Sequence, residues 1–224
     1  MTFSLLARDE KTGALVAAAA TGSLCVGGWV IRGALDAGLV ASQGTAPSTL
    51  WRDAVLRLMG EGMSAAEAVT AITDADEGRD HRQLTALDTA GRAGAFTGAS
   101  SVPIARHETA PGLVVAGNML SDGPVLAAMR GAWSDGEGDP AERALAALAA
   151  ADTAGGDARG LSSAALLVLH PSAPPLDLRV DLSDDPLTAL SLLLKAARTS
   201  PYADWLTVVP VADDPSRAPS SAPS

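Results

Sequence analysis

The sequence predicts an α+β fold in which two stacked, mainly antiparallel β-sheets lie between outer layers of helices, a four-layer αββα sandwich. Two observations predict it. Apolar runs and helical patterns follow one another as strands, a helix pair, strands, a helix pair, strands and a last helix, and elements in this order bury their apolar faces by stacking in layers. In addition, 47% of the 224 residues are hydrophobic but only 3% are aromatic, so small aliphatic side chains must fill a closely packed core.

A β-hairpin is predicted at the start of the chain. FSLLA and ALVAAAA are apolar runs on either side of RDEKTG, a polar turn that ends in glycine. With that turn centred on Lys11, the numbers of paired residues sum to about 22, so Thr2 pairs with Ala20. Thr21 then lies beside the Thr2 amine, at the end of the neighbouring strand.

The rest of the chain supplies the other layers. Ser48 to Met59 has apolar residues at helical spacing, and the next helix opens with a capping-box pattern at Ser64 and Glu67. Asp139 followed by Pro140 is typical of a helix N-cap and first turn. The other predicted elements are strands at Ala37–Ser42, Gln83–Leu87, Arg92–Thr97, Gly112–Ala116, Ala164–His170 and Leu176–Leu182, and helices at Pro124–Trp133, Pro140–Ala151 and Asp185–Arg198.

Residues 1–210 are predicted to form one domain, because no linker-like stretch divides them and no internal repeat is evident. From Val211 onward the sequence is rich in Pro, Ser and Asp. Residues 211–224 are therefore predicted to be a disordered tail.

Charge and cysteine content restrict the partners and the compartment. The net charge is −10 with no basic stripe, so no nucleic-acid partner is expected. Ala14 to Ile31 is uncharged and long enough to span a bilayer, but it is rich in Ala and Gly and follows the mixed charges of RDEK. A buried strand and a glycine turn explain it, so no membrane partner is expected. Cys25 has no disulfide partner, which favours the cytoplasm.

Five segments together resemble a known family. MTFSLLARDEKTGAL, DEGRDHRQLTALDTAGRAGAFTG, GLVVAGNML, AGGDARGLSSAALLV and DLRVD occur in the order expected for the domain-of-unknown-function family 1028. That family is similar to the N-terminal nucleophile (Ntn) hydrolases. The resemblance covers nearly all of residues 1 to 200, and it implies an Ntn-hydrolase-like αββα sandwich and hydrolysis of an amide bond.

The chain departs from the family pattern at three places. GTAPSTLW, from Gly44, stands where relatives tend to have Asn-Pro-x-Tyr-Gly, and RVDLS, from Arg179, replaces Arg-Val-Asp-Asp-His. Ser100 or Ser101 occupies the position of the family's usual cysteine. These departures motivate an alternative function: a noncatalytic small-molecule-binding or assembly protein on the same fold.

Thr2 is the candidate nucleophile. Threonine is small enough for the initiator methionine to be removed, and the new N-terminus then carries an amine and a hydroxyl on one residue. The reference pKa of an α-amine, about 7.7–8.0, leaves a neutral fraction near pH 7. The amine can therefore act as the general base for attack of Oγ on a carbonyl. The other interpretation is that a β-branched residue simply starts a strand.

Three further polar residues are candidates for the same site, each with a structural alternative. The Thr21 hydroxyl can orient the amine or the substrate, or it can cap a turn. Gln43, which ends the third predicted strand, can bind substrate or be an exposed strand end. Asn118 in AGNML can donate its amide to an oxyanion, as a second catalytic residue, or it can form a turn.

The loop AGGDARG supplies the remaining candidates. Its consecutive glycines allow backbone N–H groups to converge on an oxyanion or a carboxylate. Gly156, Asp157 and Arg159 are the predicted substrate contacts. Asp157 and Arg159 can hold a charged group of the substrate, or they can pair and cap the following strand.

No metal and no cofactor are predicted. His81, His107 and His170 have no metal-ligand spacing, and GGDARG lacks the lysine and the spacing of a phosphate loop. The leading prediction is a hydrolase that cleaves an amide or related C–N bond of a small molecule or short peptide-like amide through Thr2. A homodimer is compatible with such a sandwich. A metal-dependent hydrolase is the third and weakest alternative.

Overall fold

The computed structural model describes residues 1–102, 104–121, 123–155 and 160–219. Within these ranges the chain forms one six-stranded and one four-stranded sheet. The strands are β1 Thr2–Arg8, β2 Leu15–Thr21, β3 Ile31–Ala34, β4 Gly38–Gly44, β5 Arg82–Asp88, β6 Ala93–Thr97, β7 Arg106–Ala110, β8 Leu113–Asn118, β9 Ser163–His170 and β10 Ala173–Val180. The helices are α1 Val26–Trp29, α2 Thr49–Gly60, α3 Ala65–Asp74, α4 Val125–Asp135, α5 Pro140–Thr153, α6 Pro186–Ala197 and α7 Tyr202–Leu206.

The strand order places the start of the chain in the middle of the larger sheet. That order is β10-β9-β2-β1-β8-β7, and the smaller sheet is ordered β3-β4-β5-β6. All of these pairings are antiparallel. β1 lies between β2 and β8, so Thr2 has a strand partner on each side.

Alternate residues of β1 face opposite layers, as the pleat of a strand requires. Phe3 is fully buried in a core cluster with Leu148 of α5 and Leu190 of α6. Leu6 instead belongs to the core between the two sheets, which includes Leu39 of β4. The larger sheet therefore has helices on one face and the smaller sheet on the other.

Helices α2 and α3 cover the outer face of the smaller sheet. Val55 and Val69 belong to a buried cluster with Leu84 and Ala86 of β5. The layers are thus helices, sheet, sheet and helices, which confirms the predicted α+β sandwich.

The helix starts follow the sequence signals. The Ser48 hydroxyl accepts a hydrogen bond from a backbone N–H of the first turn of α2, and Ser64 with Glu67 forms a complete capping box. The carboxylate of Asp139 accepts from two backbone N–H groups at the start of α5. Because these caps satisfy N–H groups that have no partner inside the helix, they fix where each helix begins.

The first hairpin is confirmed, but its predicted register was wrong by one residue. Thr2 pairs with Thr21 rather than with Ala20. The reason lies in the turn, where the Asp9 carboxylate accepts hydrogen bonds from the Thr12 backbone N–H at 2.9 Å and from the Thr12 hydroxyl at 2.7 Å. This local closure centres the turn between Lys11 and Thr12, so that paired residue numbers sum to 23.

The segment after β2 contains two elements that the sequence did not predict. The glycine-rich stretch predicted as a turn contains α1, and β3 follows it directly. Gly27 and Gly28 disfavour a helix locally, but the Arg32 guanidinium donates to the Gly27 carbonyl at 2.9 Å and that of Arg52 to the Gly28 carbonyl at 2.8 Å. Contacts from Arg32 and Arg52, which lie outside the helix, therefore complete it. Among the described residues, no helix is long and apolar enough to cross a membrane.

Two further unpredicted elements are the edge strand β7 and the short helix α7. Beyond residue 210, the Asp213 backbone N–H donates to the Pro171 carbonyl at 3.0 Å, and the Arg217 guanidinium donates to the Leu206 carbonyl at 3.2 Å. These contacts tie the start of the segment predicted as a tail to the rest of the chain. The domain boundary at residue 210 stays a prediction.

Candidate functional site

Four residues singled out in the sequence meet at one end of the space between the sheets. Thr2 of β1 pairs directly with Thr21 of β2 and with Asn118 of β8. Their side chains share the face of Leu6, four residues along β1, which lies between the sheets. Gln43 reaches them from the smaller sheet, and its Nε2 lies 3.5 Å from the Thr2 carbonyl oxygen.

The hydroxyl groups of Thr2 and Thr21 form a directed pair. Their Oγ1 atoms are 2.9 Å apart. The Thr21 hydroxyl donates its single proton to the Met1 carbonyl at 2.8 Å, so the proton between the two threonines must come from Thr2. Thr21 Oγ1 also accepts from the Ser23 backbone N–H at 3.3 Å. The Thr2 hydroxyl is therefore the donor in this contact, and its lone pairs are not used in it.

Met1 is held in place by packing and by hydrogen bonds. Its side chain is only 2% exposed and belongs to the core beneath the helices. Its carbonyl accepts from the Thr21 hydroxyl and from the Gly22 backbone N–H at 3.4 Å. While Met1 is attached, the Thr2 nitrogen is an amide nitrogen, which has no basic lone pair for proton transfer.

A pair of buried glutamines connects the two sheets below Thr2. Gln83 Nε2 donates to the backbone carbonyls of Arg106 at 3.1 Å and Gly117 at 3.2 Å. Since a carbonyl only accepts, these contacts fix which end of the Gln83 amide is nitrogen. Its Oε1 then accepts from Gln43 Nε2 at 2.7 Å, which fixes the Gln43 amide as well.

The same network continues to a histidine. Gln83 Nε2 also lies 2.9 Å from Thr97 Oγ1, which is 2.8 Å from His107 Nδ1. Burial lowers the pKa of His107 below its ordinary value, so its imidazole is neutral at pH 7. The sequence did not predict this arrangement. One signal for it was present in the sequence. Gln83, Thr85 and Leu87 are every second residue of β5, so Gln83 lies on the face of the strand that points toward the space between the sheets.

Three buried oxygen atoms near Thr2 have no hydrogen-bond partner among the described residues. They are Ser4 Oγ, Gln43 Oε1 and Asn118 Oδ1. Buried polar atoms normally have partners, so unpaired ones mark places where a donor is expected. Gln43 was predicted either to bind substrate or to be an exposed strand end. It is 2% exposed, so the second interpretation was wrong.

A pocket of about 430 Å³ opens beside the threonine pair. Its described lining comes from β1 and β2, from the segment that contains α1, and from the end of β4. The lining residues are Thr2, Thr21, Ser23, Leu24, Val26, Trp29, Val30, Gln43, Gly44, Thr45 and Pro47. Three predicted site residues thus share one pocket. Asn118 lies beside Thr2 in the sheet but is not among these lining residues.

The predicted substrate contacts of the AGGDARG loop, Gly156, Asp157 and Arg159, lie outside the described residues. The chain that follows them does reach the site. The Ser162 backbone N–H donates to the Thr21 carbonyl at 2.8 Å, and Ser163 pairs with Thr21. The end of this loop is therefore anchored next to the threonine pair.

Two of the three departures from the family pattern lie at or beside the pocket. Gly44, Thr45 and Pro47 of GTAPSTLW line it. In RVDLS, the Asp181 carbonyl accepts from the Cys25 backbone N–H at 3.1 Å, just before α1. In the part of the chain that is described, no three His, Cys, Asp or Glu side chains come together as a metal site.

Comparisons with known proteins identify the family. The model of a family described as "Family of unknown function (DUF1028)" matches residues 2–190. A crystal structure of protein SPO2555 from Silicibacter pomeroyi, described as DUF1028, is 49% identical to this chain. It matches with a TM-score of 0.93 over 97% of this chain and 98% of that one. No curated protein matches significantly. The chain therefore belongs to the DUF1028 family.

Proposed function

We propose that the chain hydrolyses an amide or related C–N bond, with Thr2 as the nucleophile after Met1 has been removed. One observation carries the proposal. Thr2 begins a central strand with its hydroxyl at a pocket between the sheets, held by the hydroxyl of Thr21 at 2.9 Å. Removal of Met1 would place a free amine and this oriented hydroxyl on the same residue.

The chemistry follows from that pairing of groups. The neutral α-amine takes the Oγ1 proton as Oγ1 bonds to the substrate carbonyl carbon, and the carbonyl electrons move onto oxygen. The resulting oxyanion collapses, the C–N bond breaks, and the departing amine takes the proton from the α-ammonium group. Water, deprotonated by the same amine, then attacks the ester and releases the acid and the Thr2 hydroxyl.

Neighbouring residues have supporting roles in this proposal. Asn118, paired with Thr2 across the sheet, donates its side-chain N–H to the oxyanion. Thr21 loses the Met1 carbonyl as its acceptor on processing, and its hydroxyl then orients the new amine. Gln43 contacts the substrate within the pocket, and Gly156, Asp157 and Arg159 contribute from the AGGDARG loop. The substrate is a small molecule or a short peptide-like amide in the cytoplasm, and the enzyme is compatible with a homodimer.

Two substitutions at one position test the proposal. Alanine and serine are both small enough to permit removal of Met1, so intact mass spectrometry should show processed protein for Thr2→Ala and for Thr2→Ser. In an amidase screen, Thr2→Ala should lose activity by on the order of 10³-fold or more, whereas Thr2→Ser keeps a nucleophile and part of the activity. Full activity of processed Thr2→Ala would exclude Thr2 as the nucleophile.

A second candidate function is a noncatalytic binding or assembly protein. It is favoured by the burial of Met1, whose side chain is 2% exposed and whose carbonyl accepts two hydrogen bonds. A protein that keeps Met1 has no free Thr2 amine. Retention of Met1 in cellular protein, together with ligand binding in the pocket, would select this function.

A further inference from the structure

Met1 fills an apolar place at the end of β1. It is 2% exposed and belongs to the same core cluster as Leu120. Its carbonyl oxygen accepts from the Thr21 hydroxyl at 2.8 Å and from the Gly22 backbone N–H at 3.4 Å. The protein thus holds an acyl group, which is a carbonyl with an apolar chain, immediately beside the Thr2 nitrogen. The volume that Met1 occupies is called the Met1 slot below.

Removal of Met1 empties this slot and leaves its surroundings in place. Thr2 still pairs with Thr21 on one side and with Asn118 on the other, so both neighbouring strands hold the end of β1. The core cluster is rich in alanines such as Ala20, whose side chain has no alternative rotamers with which to fill space. Because the surroundings of a deleted apolar side chain relax only partially, an apolar cavity should remain.

The Met1 slot has a short route to the protein surface. The Met119 thioether lies 3.9 Å from the Met1 nitrogen, and Met119 itself is 41% exposed. Methionine has three rotatable bonds and adapts its shape to the groups that it contacts. A ligand can therefore enter the slot by displacing one flexible side chain at the surface.

The slot also lies within reach of the Thr2 hydroxyl. Only two carbon atoms join the nitrogen and Oγ1 of a threonine, so an acyl carbon on Oγ1 can lie next to the position of the Met1 carbonyl carbon. The Thr2 side chain lines the pocket between the sheets, whereas the Met1 side chain packs beneath the helices. Once Met1 is removed, the backbone ends at Thr2, and an acyl chain can pass around the end of β1 from one face to the other.

We infer that the Met1 slot is an acyl-binding site, and that the processed protein selects amides of unbranched aliphatic acids about as long as a methionyl group. The acyl chain replaces the Met1 side chain, and the Gly22 N–H donates to the acyl carbonyl as it does to that of Met1. As a substrate class this rests on the proposed hydrolysis, but the binding preference is separable from it. A hexanoyl group equals the methionyl chain in length from the carbonyl carbon to the terminal methyl.

Two forms of one chain test the slot. Both carry Thr2→Ala to prevent turnover, and both are released from an N-terminal fusion by a protease that cuts before residue 1 in one form and before residue 2 in the other. Intact mass spectrometry verifies each N-terminus. The probes are acetamide, hexanamide and the cationic 6-aminohexanamide, and their affinities are measured by ligand-observed NMR titration.

The form that starts at residue 2 should bind hexanamide at least about tenfold more tightly than acetamide, since each buried methylene strengthens binding about fourfold. It should bind 6-aminohexanamide at least about tenfold more weakly than hexanamide, because the ammonium group would lose its water in an apolar slot. The form that keeps Met1 has a filled slot and should bind hexanamide at least about tenfold more weakly.

A methyl signal locates the bound probe. The chain has five methionines, and the methyl NMR signal of Met119 can be assigned by its loss in Met119→Leu. Hexanamide should shift this signal saturably in the form that starts at residue 2 and leave it unchanged in the form that keeps Met1. The binding comparison between the two forms needs no further substitution, so it stands even if Met119→Leu does not fold.

The outcomes separate this inference from the proposed function. Equal affinity of the two forms for hexanamide, equal affinity for hexanamide and acetamide, or an unchanged Met119 signal would overturn the inference. If the chain that starts at an intact Thr2 hydrolyses no amide but the binding pattern is as expected, the proposed function fails and the inference stands. Hydrolysis by that chain without a preference for hexanoyl over acetyl amides would do the reverse.

Discussion

The hydroxyl groups of Thr2 and Thr21 lie 2.9 Å apart on directly paired residues of adjacent strands. The strand pairing sets this relationship, and the Asp9 turn sets the pairing. A shift of one residue would turn Thr21 to the opposite face of the sheet. The geometry of the candidate nucleophile thus depends on a turn at the far end of its hairpin.

Thr21→Val tests the role of this hydroxyl with almost no change in shape. The variant should be about 1–2 kcal/mol less stable to urea, because the Thr2 hydroxyl and the Ser23 N–H each lose a partner, as does the Met1 carbonyl in protein that retains Met1. Amidase activity of processed protein should fall about tenfold or more. Thr21→Ser should restore both. A stable and fully active Thr21→Val would show that the pair only fills space.

Gln83→Met tests the glutamine pair. The substitution removes the donor to the carbonyls of Arg106 and Gly117. It also removes the acceptor of the Gln43 side-chain N–H. Each unpaired buried group costs about 1–3 kcal/mol, so the free energy of unfolding should fall by about 2–4 kcal/mol in urea denaturation. Arg57→Met, on the exposed surface of α2, is the control and should change it by less than about 0.5 kcal/mol. If both variants lowered the free energy of unfolding by a similar small amount, the Gln83 hydrogen bonds would not contribute to stability as stated.

His107 should make stability depend on pH. Its folded-state pKa is lowered by burial, so the unfolded chain binds the proton more readily, and stability falls as the pH drops below the ordinary value of about 6.5. Above that value its contribution is constant. His107→Gln should flatten the slope of the unfolding free energy between pH 5 and 7. An unchanged slope in the variant would assign the dependence to other groups.

Asp9→Asn tests the ion pair that secures the hairpin turn. Burial raises the pKa of Asp9, but its hydrogen bonds to Thr12 and its contacts with Arg143 outweigh burial and hold the pKa below its ordinary value. Arg143 lies 2.6 Å from Asp9, and both side chains are largely buried. The free energy of unfolding of the variant should be about 3 kcal/mol lower than that of the wild type at pH 7.

The exposed pair of Arg57 and Glu61 is the matched control for Asp9→Asn. Glu61→Gln breaks that pair. It should lower the free energy of unfolding by less than about 0.5 kcal/mol. Because the pKa of Asp9 is lowered, the difference between wild type and Asp9→Asn should shrink as the pH falls through the folded-state pKa. A loss that is equal in both variants, or independent of pH, would be inconsistent with a buried pair.

Local signals in the sequence predicted much of the fold. The apolar spacing of Ser48–Met59 and the capping signals at Ser64 and Asp139 placed three helices, and the polar turn after Ala7 placed the hairpin. Helix α1 was missed because its stability comes from Arg32 and Arg52, which lie outside it in the sequence. The Arg52 contact spans 24 residues to Gly28, so it leaves no local pattern in the sequence.

The sequence predicted part of the candidate site as well. Thr2, Thr21 and Gln43 were found from strand ends, and the structure brings them to one pocket. Gln83 was missed because its importance depends on carbonyls of β7 and β8, more than 20 residues away in sequence. The hairpin register could not be predicted without the hydrogen bonds of the Asp9 side chain, because these select between two possible turns that differ by one residue.

The central claim is that Thr2 becomes the N-terminal nucleophile. Its most direct test is intact and tandem mass spectrometry of protein purified from its native host, before and after reaction with an electrophilic acylating agent such as a β-lactone. The account predicts a chain that begins at Thr2 and gains one acyl group, which maps to the Thr2 hydroxyl and is absent in Thr2→Ala. A chain that retains Met1, or an acyl group that maps elsewhere, would contradict it.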